Sequence, residues 1–324
     1  MTMTCEPALE LSIVICTFKR ERLLRRAIAS VARQACPAGV DLILAVVDNS
    51  DDGEAAAAVE AMREACPFEL RYVAAHPPNI SVARNAGIAA TTSPFVAFID
   101  DDTELAEGWV EAVVGALREH PYDILFGAIE PVFEAPSRAP SWTHAVYSRR
   151  LAAATGRELS AMGRGKTRDV ALSTSNAVLR RATTLTDAEP FDRAFGNGGG
   201  EDYDLFCRVQ RRGCRFGWVP GALVREEVPA ERCDTAYLRR RMFAGGQAFA
   251  MAIAKNSRWP AATRWWLRGK AAVQALYLAS VLPLRLWRGG EALDAYSCAW
   301  AGVLGKLAFG EIHPIYRAPA AARS

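Results

Sequence analysis

Apolar and polar positions follow two rhythms along the first half of the chain. Residues 11–16 form a short apolar run rich in β-branched side chains, the mark of a buried parallel strand. Residues 21–34 then place Leu23, Leu24, Ala27, Ile28 and Val31 at helical spacing. The pair of patterns recurs, with strands expected over 41–48, 67–75, 94–100 and 122–130 and helices over 54–65, 81–90 and 107–119. Regular β-α alternation with short connections predicts an α/β fold, a mostly parallel sheet flanked by helices. Residues 131–169, rich in Pro, Ser, Gly and Arg, lose the rhythm and read as a loop-like insertion. Beyond about residue 230 the pattern turns helical. An α/β domain over 8–228 and a helical C-terminal region over 229–324 are therefore expected.

Ligands of such sheets gather at the carboxyl ends of the strands. Polar clusters stand at three of these ends: Thr17 to Arg20, Asp48 to Asp52, and Asp100 to Asp102. The three are expected to converge on one crevice.

Charge sharpens the division. Residues 225–324 hold 15 Lys and Arg against 7 Asp and Glu, while the preceding part holds 24 against 29. An acidic front suits a metal and a basic tail suits an anionic surface; no nucleic-acid partner is expected. The eight cysteines include no C-x-x-C pair, which argues against a zinc site or a dense disulfide framework. They read as reduced thiols of a cytoplasmic protein. Residues 1–10 carry neither a basic nor an apolar leader segment, so no secretory signal is expected.

The sharpest chemical feature is Asp100, Asp101 and Asp102 at the end of an apolar run. Like charges ~4 Å apart at an effective dielectric of ~20 repel by about 4 kcal/mol. A cation could offset that, and carboxylate oxygens suit Mg²⁺ or Mn²⁺; a solvated acidic turn is the plainer alternative. A second feature is three glycines, 198–200, followed by Glu201, Asp202 and Asp204. These read as a close-approach loop opening a helix, either a base or a simple acidic N-terminus. Gly163 to Thr167 imitates the end of a phosphate-binding loop, but Ser160 stands where the full pattern needs glycine. The four histidines are scattered and receive no role.

Taken in order, these motifs resemble glycosyltransferase family 2, whose members have the GT-A fold. Residues 14–20 resemble the family's opening strand and base-contacting loop, which brings in Thr17, Phe18 and Arg20. Residues 46–50 resemble the second strand, whose aspartate, here Asp48, holds the base. The run from Asn79 through Arg84, Asn85 and Gly87 resembles the helix that opens toward the diphosphate. Residues 98–102 match the metal motif; the resemblance makes Asp102 the metal ligand and places Asp100, with Asp101, toward the donor. Asp202, beside Glu201, matches the aspartate that deprotonates the acceptor. Many members carry a histidine near the metal where Glu226 and Glu227 stand here, so these two are further candidate ligands. Asn176 is open between ligand contact and a structural turn.

The implied activity is inverting, metal-dependent transfer from a nucleotide-diphosphate sugar, UDP-linked by expectation, to a saccharide or lipid-linked acceptor in polysaccharide synthesis. Two rivals stand beside it: a sugar-phosphate nucleotidyltransferase, and a catalytically silent membrane-associated binding protein.

The tail adds Trp259, Trp265, Trp266, Trp287 and Trp300, interleaved with arginines. Trp with Arg suits a membrane interface. The apolar stretch 271–284 is shorter than the ~20 residues of a span. Peripheral attachment to the inner face of the cell membrane is expected, against the alternative of packing on the catalytic domain.

Overall fold

A computed structural model describes residues 8–315. Residues 1–7, Cys5 among them, and 316–324 lie outside the described residues.

Two compact units interleave along the chain. The first comprises residues 8–130, 149–190 and 212–226, and the second 131–148, 191–211 and 227–315. Packing thus divides the chain differently from a single boundary near residue 228.

The first unit is built on a sheet of nine strands among the described residues: β1 (Leu9–Thr17), β2 (Val40–Asp48), β3 (Glu69–Ala74), β4 (Phe95–Asp100), β5 (Thr103–Leu105), β6 (Ile124–Phe133), β7 (Arg157–Leu159), β8 (Asn176–Arg180) and β9 (Phe216–Val228). The order is β3-β2-β1-β4-β8-β6-β9-β5, with β7 on β9. Helices α1 (Glu21–Ala32), α2 (Ala55–Met62) and α3 (Ile80–Ala89) make the crossovers between the first four strands, and α4 (Trp109–Glu119) follows β5. The expectation of a mostly parallel sheet is corrected here. β3, β2, β1 and β4 are parallel, whereas β4–β8, β8–β6, β5–β9 and β7–β9 are antiparallel. Parallel neighbours need a long crossover; β8 is instead reached from the loop-rich stretch and slots between β4 and β6. Periodicity reports that a strand exists, not which neighbour it takes.

β1 is sheet-central, and Leu11, Ile13, Val14 and Ile15 are fully buried. Its apolar run is therefore covered on both faces. α3 lies close to the sheet because Gly87 has no Cβ: one placed there would sit 2.4 Å from Val14 Cγ1.

The second unit is helical. α5 (Thr143–Tyr147) and α7 (Glu201–Arg211) join α8 (Thr235–Lys255), α9 (Pro260–Arg288) and α10 (Gly290–Leu307); α6 (Arg181–Thr184) belongs to the first unit. α8 packs on α10 at glycine contacts, a Cβ on Gly246 falling 2.2 Å from the Gly302 carbonyl. No described helix is long and apolar enough to cross a membrane.

Candidate active site

Register brings the donor-side candidates of the first unit together. Thr17 pairs with Asp48, and Cys16 pairs with Asp100, at the carboxyl ends of adjacent parallel strands. The expected convergence of three strand ends is what the sheet builds.

The triplet is compensated by two arginines. Arg20 donates to Asp101 Oδ1 at 3.0 Å and to Asp102 Oδ2 at 3.1 Å. The Thr17 hydroxyl donates to Asp101 Oδ2 at 2.8 Å. Arg84, itself buried, lies 3.7 Å from Asp100 Oδ1. Asp101 and Asp102 are buried, while Asp100 is about one-third open. Burial pushes the Asp101 carboxyl up to about 6; the Arg20 guanidinium opposes the rise and the Asp102 carboxylate adds to it.

The loop holding Arg20 is bent by Lys19, a non-glycine residue at φ 56° that is anchored to Asp52 at 2.7 Å. That backbone region costs an L-residue roughly 1–2 kcal/mol, and here it presents Phe18 outward, 40% exposed. Asp48 is buried and organises its own loop: Oδ1 accepts from Ser50 N–H, Oδ2 from Ala55 N–H, and the Tyr72 hydroxyl donates to it at 3.2 Å. Asn85 is half-buried on α3. Asn79 caps that helix, its side chain accepting from the Ser81 and Val82 N–H groups.

Two positions read differently once their partners are seen. Asn176 accepts from Trp109 Nε1 at 3.0 Å and donates to the Ala128 and Ala222 carbonyls, so it ties the sheet together and its amide is spent on structure. Ser175, given no role of its own from the sequence, donates to Asp100 Oδ2 at 2.6 Å. The phosphate-loop imitation is a turn closed by Ser160 and Thr167, and no helix follows it as such a loop requires.

The second unit carries the other acidic set. Gly199 and Gly200 adopt φ 84° and 97°, open only to glycine at low cost, and a Cβ on Gly200 would meet Ala248 at 2.4 Å. They lead into α7, whose first turn holds Glu201, Asp202 and Asp204, a favourable place for carboxylates. Asp204 is fully buried: Lys255 Nζ donates to Oδ2 at 3.0 Å and Asn256 Nδ2 to Oδ1 at 2.8 Å, with Arg208 3.6 Å away. Lys255 also donates to Asp192 at 2.6 Å. Burial works to raise the Asp192 carboxyl, but the Lys255 bond and the Ala194 N–H outweigh it and hold it below its ordinary value. Asp202 is half-buried and accepts from Tyr203 N–H. The residues at the end of α8, Lys255 and Asn256, carry no motif and were not foreseen.

The donor set suits a hard cation in one respect and limits it in another. No group of three His, Cys, Asp or Glu among the described residues could hold a metal. Mg²⁺ is commonly held by one or two carboxylates plus substrate phosphates, and Asp102 with its neighbours fits that arrangement. Glu226 and Glu227 are consecutive on β9, and strand neighbours point to opposite faces, so the pair cannot both face one ion. Glu226 stands in register with Thr103, next to Asp102.

The α/β unit, with its candidate donor-side residues at the ends of β1, β2 and β4, has the architecture of GT-A glycosyltransferases. Staphylococcus aureus TarS 1–349 in complex with UDP superposes with a TM-score of 0.56 at 16% identity, over 91% of this chain and 90% of that one. Its complex with UDP-GlcNAc gives 0.53 at 16% identity, over 79% and 69%. The sequence profile of glycosyl transferase family 2 matches residues 12–182, and the chain belongs to that family. It is similar to the succinoglycan biosynthesis protein ExoM of Rhizobium meliloti, 30% identical over 249 residues, 77% of each chain. It is also similar to the pre-mycofactocin glycosyltransferase of Mycobacterium tuberculosis, 28% identical over 55% of this chain and 36% of that one. The protein is a glycosyltransferase, and the nucleotidyltransferase reading falls. The family match ends before Asp202.

Proposed function

We propose that the protein transfers a sugar, with inversion, from a UDP-linked donor to a saccharide or lipid-linked saccharide during polysaccharide synthesis. The observation that carries this reading is the register placing Thr17, Asp48 and Asp100 at one end of three adjacent strands. The similarity to ExoM and to TarS structures holding UDP and UDP-GlcNAc supports the donor and pathway class.

In this reading Phe18 and Asp48 meet the base, Arg20, Arg84 and Asn85 meet the diphosphate, and Asp100 with Asp101 orients ribose and sugar hydroxyls. Mg²⁺ or Mn²⁺, held by Asp102 and the donor phosphates with Glu226 or Glu227 as a further candidate ligand, would supply positive charge to the departing diphosphate. Asp202 takes the acceptor hydroxyl proton as that oxygen forms its bond to the anomeric carbon. The bond from that carbon to the diphosphate oxygen breaks, and UDP leaves with the electron pair. Compensation of Asp204 by Lys255 keeps a neighbouring negative charge from acting unopposed on Asp202. The enzyme works on the cytoplasmic side, at the inner face of the cell membrane.

The test is Asp202→Asn. Transfer should fall by about 10³-fold or more, with UDP affinity measured by calorimetry unchanged; undiminished turnover removes Asp202 as the base. Asp102→Asn should abolish the Mn²⁺ dependence of UDP binding, and a wild-type protein indifferent to divalent cations would remove the metal.

A further inference from the structure

Helix α9 has two unlike faces. Leu267 and Ala271 are buried, Leu267 packing with Ala250 and Ala254 of α8. The opposite side carries Trp266, Val273, Leu276, Leu284 and Trp287, spaced seven, three, eight and three residues apart and therefore in one stripe. Every one is exposed, Leu276 by 72% and Trp287 by 82%. At 1.5 Å per residue the stripe runs about 31 Å from one tryptophan to the other. An unpartnered apolar ridge of that length is not the surface of a protein that meets only water.

Charge says what covers it. α9 contains Arg264, Arg268, Lys270, Arg285 and Arg288 and no acidic residue. They cluster at its two ends, leaving 271–284 uncharged. Several sit on the aromatic rings, Lys270 4.4 Å from the Trp266 centroid and Arg268 5.2 Å from that of Trp265. Two copies meeting stripe to stripe would bring five cations against five. A bilayer with anionic headgroups instead offers acyl chains to the stripe and phosphates to its flanks.

We infer that α9 lies flat in the interface of an anionic bilayer, with the Trp266–Trp287 stripe immersed and its terminal cations among the lipid phosphates. It does not span: its other face is glued to α8, and no window of it is apolar enough to cross. The inference rests on, and deepens, the proposed work at the membrane face. In-plane binding would keep the chain at the surface where lipid-linked acceptors are held, so it names a lipid-linked acceptor over a free saccharide.

The experiment is sedimentation of the full-length protein with vesicles of phosphatidylcholine alone or enriched in phosphatidylglycerol. The wild type should bind the anionic vesicles and release as salt rises. A Trp265→Ala, Trp266→Ala, Trp287→Ala triple variant should lose binding at least about tenfold. Leu276→Asp, one exposed residue, should do the same without disturbing the fold. UDP-sugar hydrolysis in solution should be unchanged in both, which separates failure here from failure of glycosyl transfer itself. Equal binding to neutral vesicles, or full binding by the variants, would overturn the inference. So would a wild-type dimer in solution that the variants convert to monomer, since the stripe would then be covered by a second copy.

Discussion

Each unit gathers three acidic residues within five positions, and each solves the repulsion differently. In the first unit the triplet is met by arginines from nearby motifs: Arg20 from the loop after β1 and Arg84 from α3. Both cations are on elements that carry candidate donor-side residues, so the proposed binding would draw on the same side chains. In the second unit the cation is Lys255 at the far end of α8, and it binds Asp204 and Asp192, leaving the acidic turn pinned by a helix end. The lesson is that the first cluster is answered by two arginines, one partly exposed and one buried, whereas the second is answered by one half-exposed lysine helped by the buried Asn256.

The largest test of that contrast is Lys255→Met. Asp204 would stay buried with its ammonium gone but with Asn256 and Arg208 still beside it, and since Lys255 is half-exposed the loss should be about 2–3 kcal/mol of stability in urea unfolding; a loss under ~1 kcal/mol would show that Asn256 and Arg208 suffice. Gly87→Ala strikes the donor side sterically, and overpacking against Val14 should cost about 1–3 kcal/mol by the same measurement. A neutral result would mean α3 can retreat from the sheet. Arg20→Met should cost only about 1 kcal/mol, since that side chain is partly exposed. Under the proposed metal site, Mn²⁺ should then raise the thermal midpoint of the variant more than that of the wild type, because the ion would answer the same carboxylates as the guanidinium. Equal rises would separate them.

The smallest effect concerns acid. Asp192 is held below its ordinary value in the folded state, so its contribution is present above the unfolded carboxyl range near ~3.9 and is lost as pH falls through the lower folded value. The stability gap between wild type and Asp192→Asn, followed by denaturant titration, should close below about pH 4. A gap constant down to pH 3 would mean that Lys255 does not govern that carboxyl.

The convergence of the candidate donor-side residues was legible because its information is local. A β-branched run followed by a polar cluster says strand and strand end, and parallel crossovers stack those ends, so Thr17, Asp48 and Asp100 could be gathered before any coordinates. The glycines before Glu201 marked a helix start in the same way. Partnership was not legible. Ser175 reaches Asp100 across 75 positions and Lys255 reaches Asp204 across 51, and neither carries a pattern of its own. Asn176 looked open to a ligand until Trp109 and two carbonyls were seen to use its amide. β8 escaped altogether: five residues after a loop-rich stretch gave no strand signal of their own, and periodicity is in any case blind to neighbours.

The sequence by itself determined the alternating strands and helices of the first 130 residues, the acidic clusters at strand and helix ends, and the basic, tryptophan-rich composition of the tail, because these follow from side-chain period and charge along a few turns of chain. Tertiary structure alone decided which cation answers which carboxylate, where β8 pairs, and that one face of α9 is left uncovered. Those outcomes depend on packing between segments far apart in the chain, and no local period encodes that.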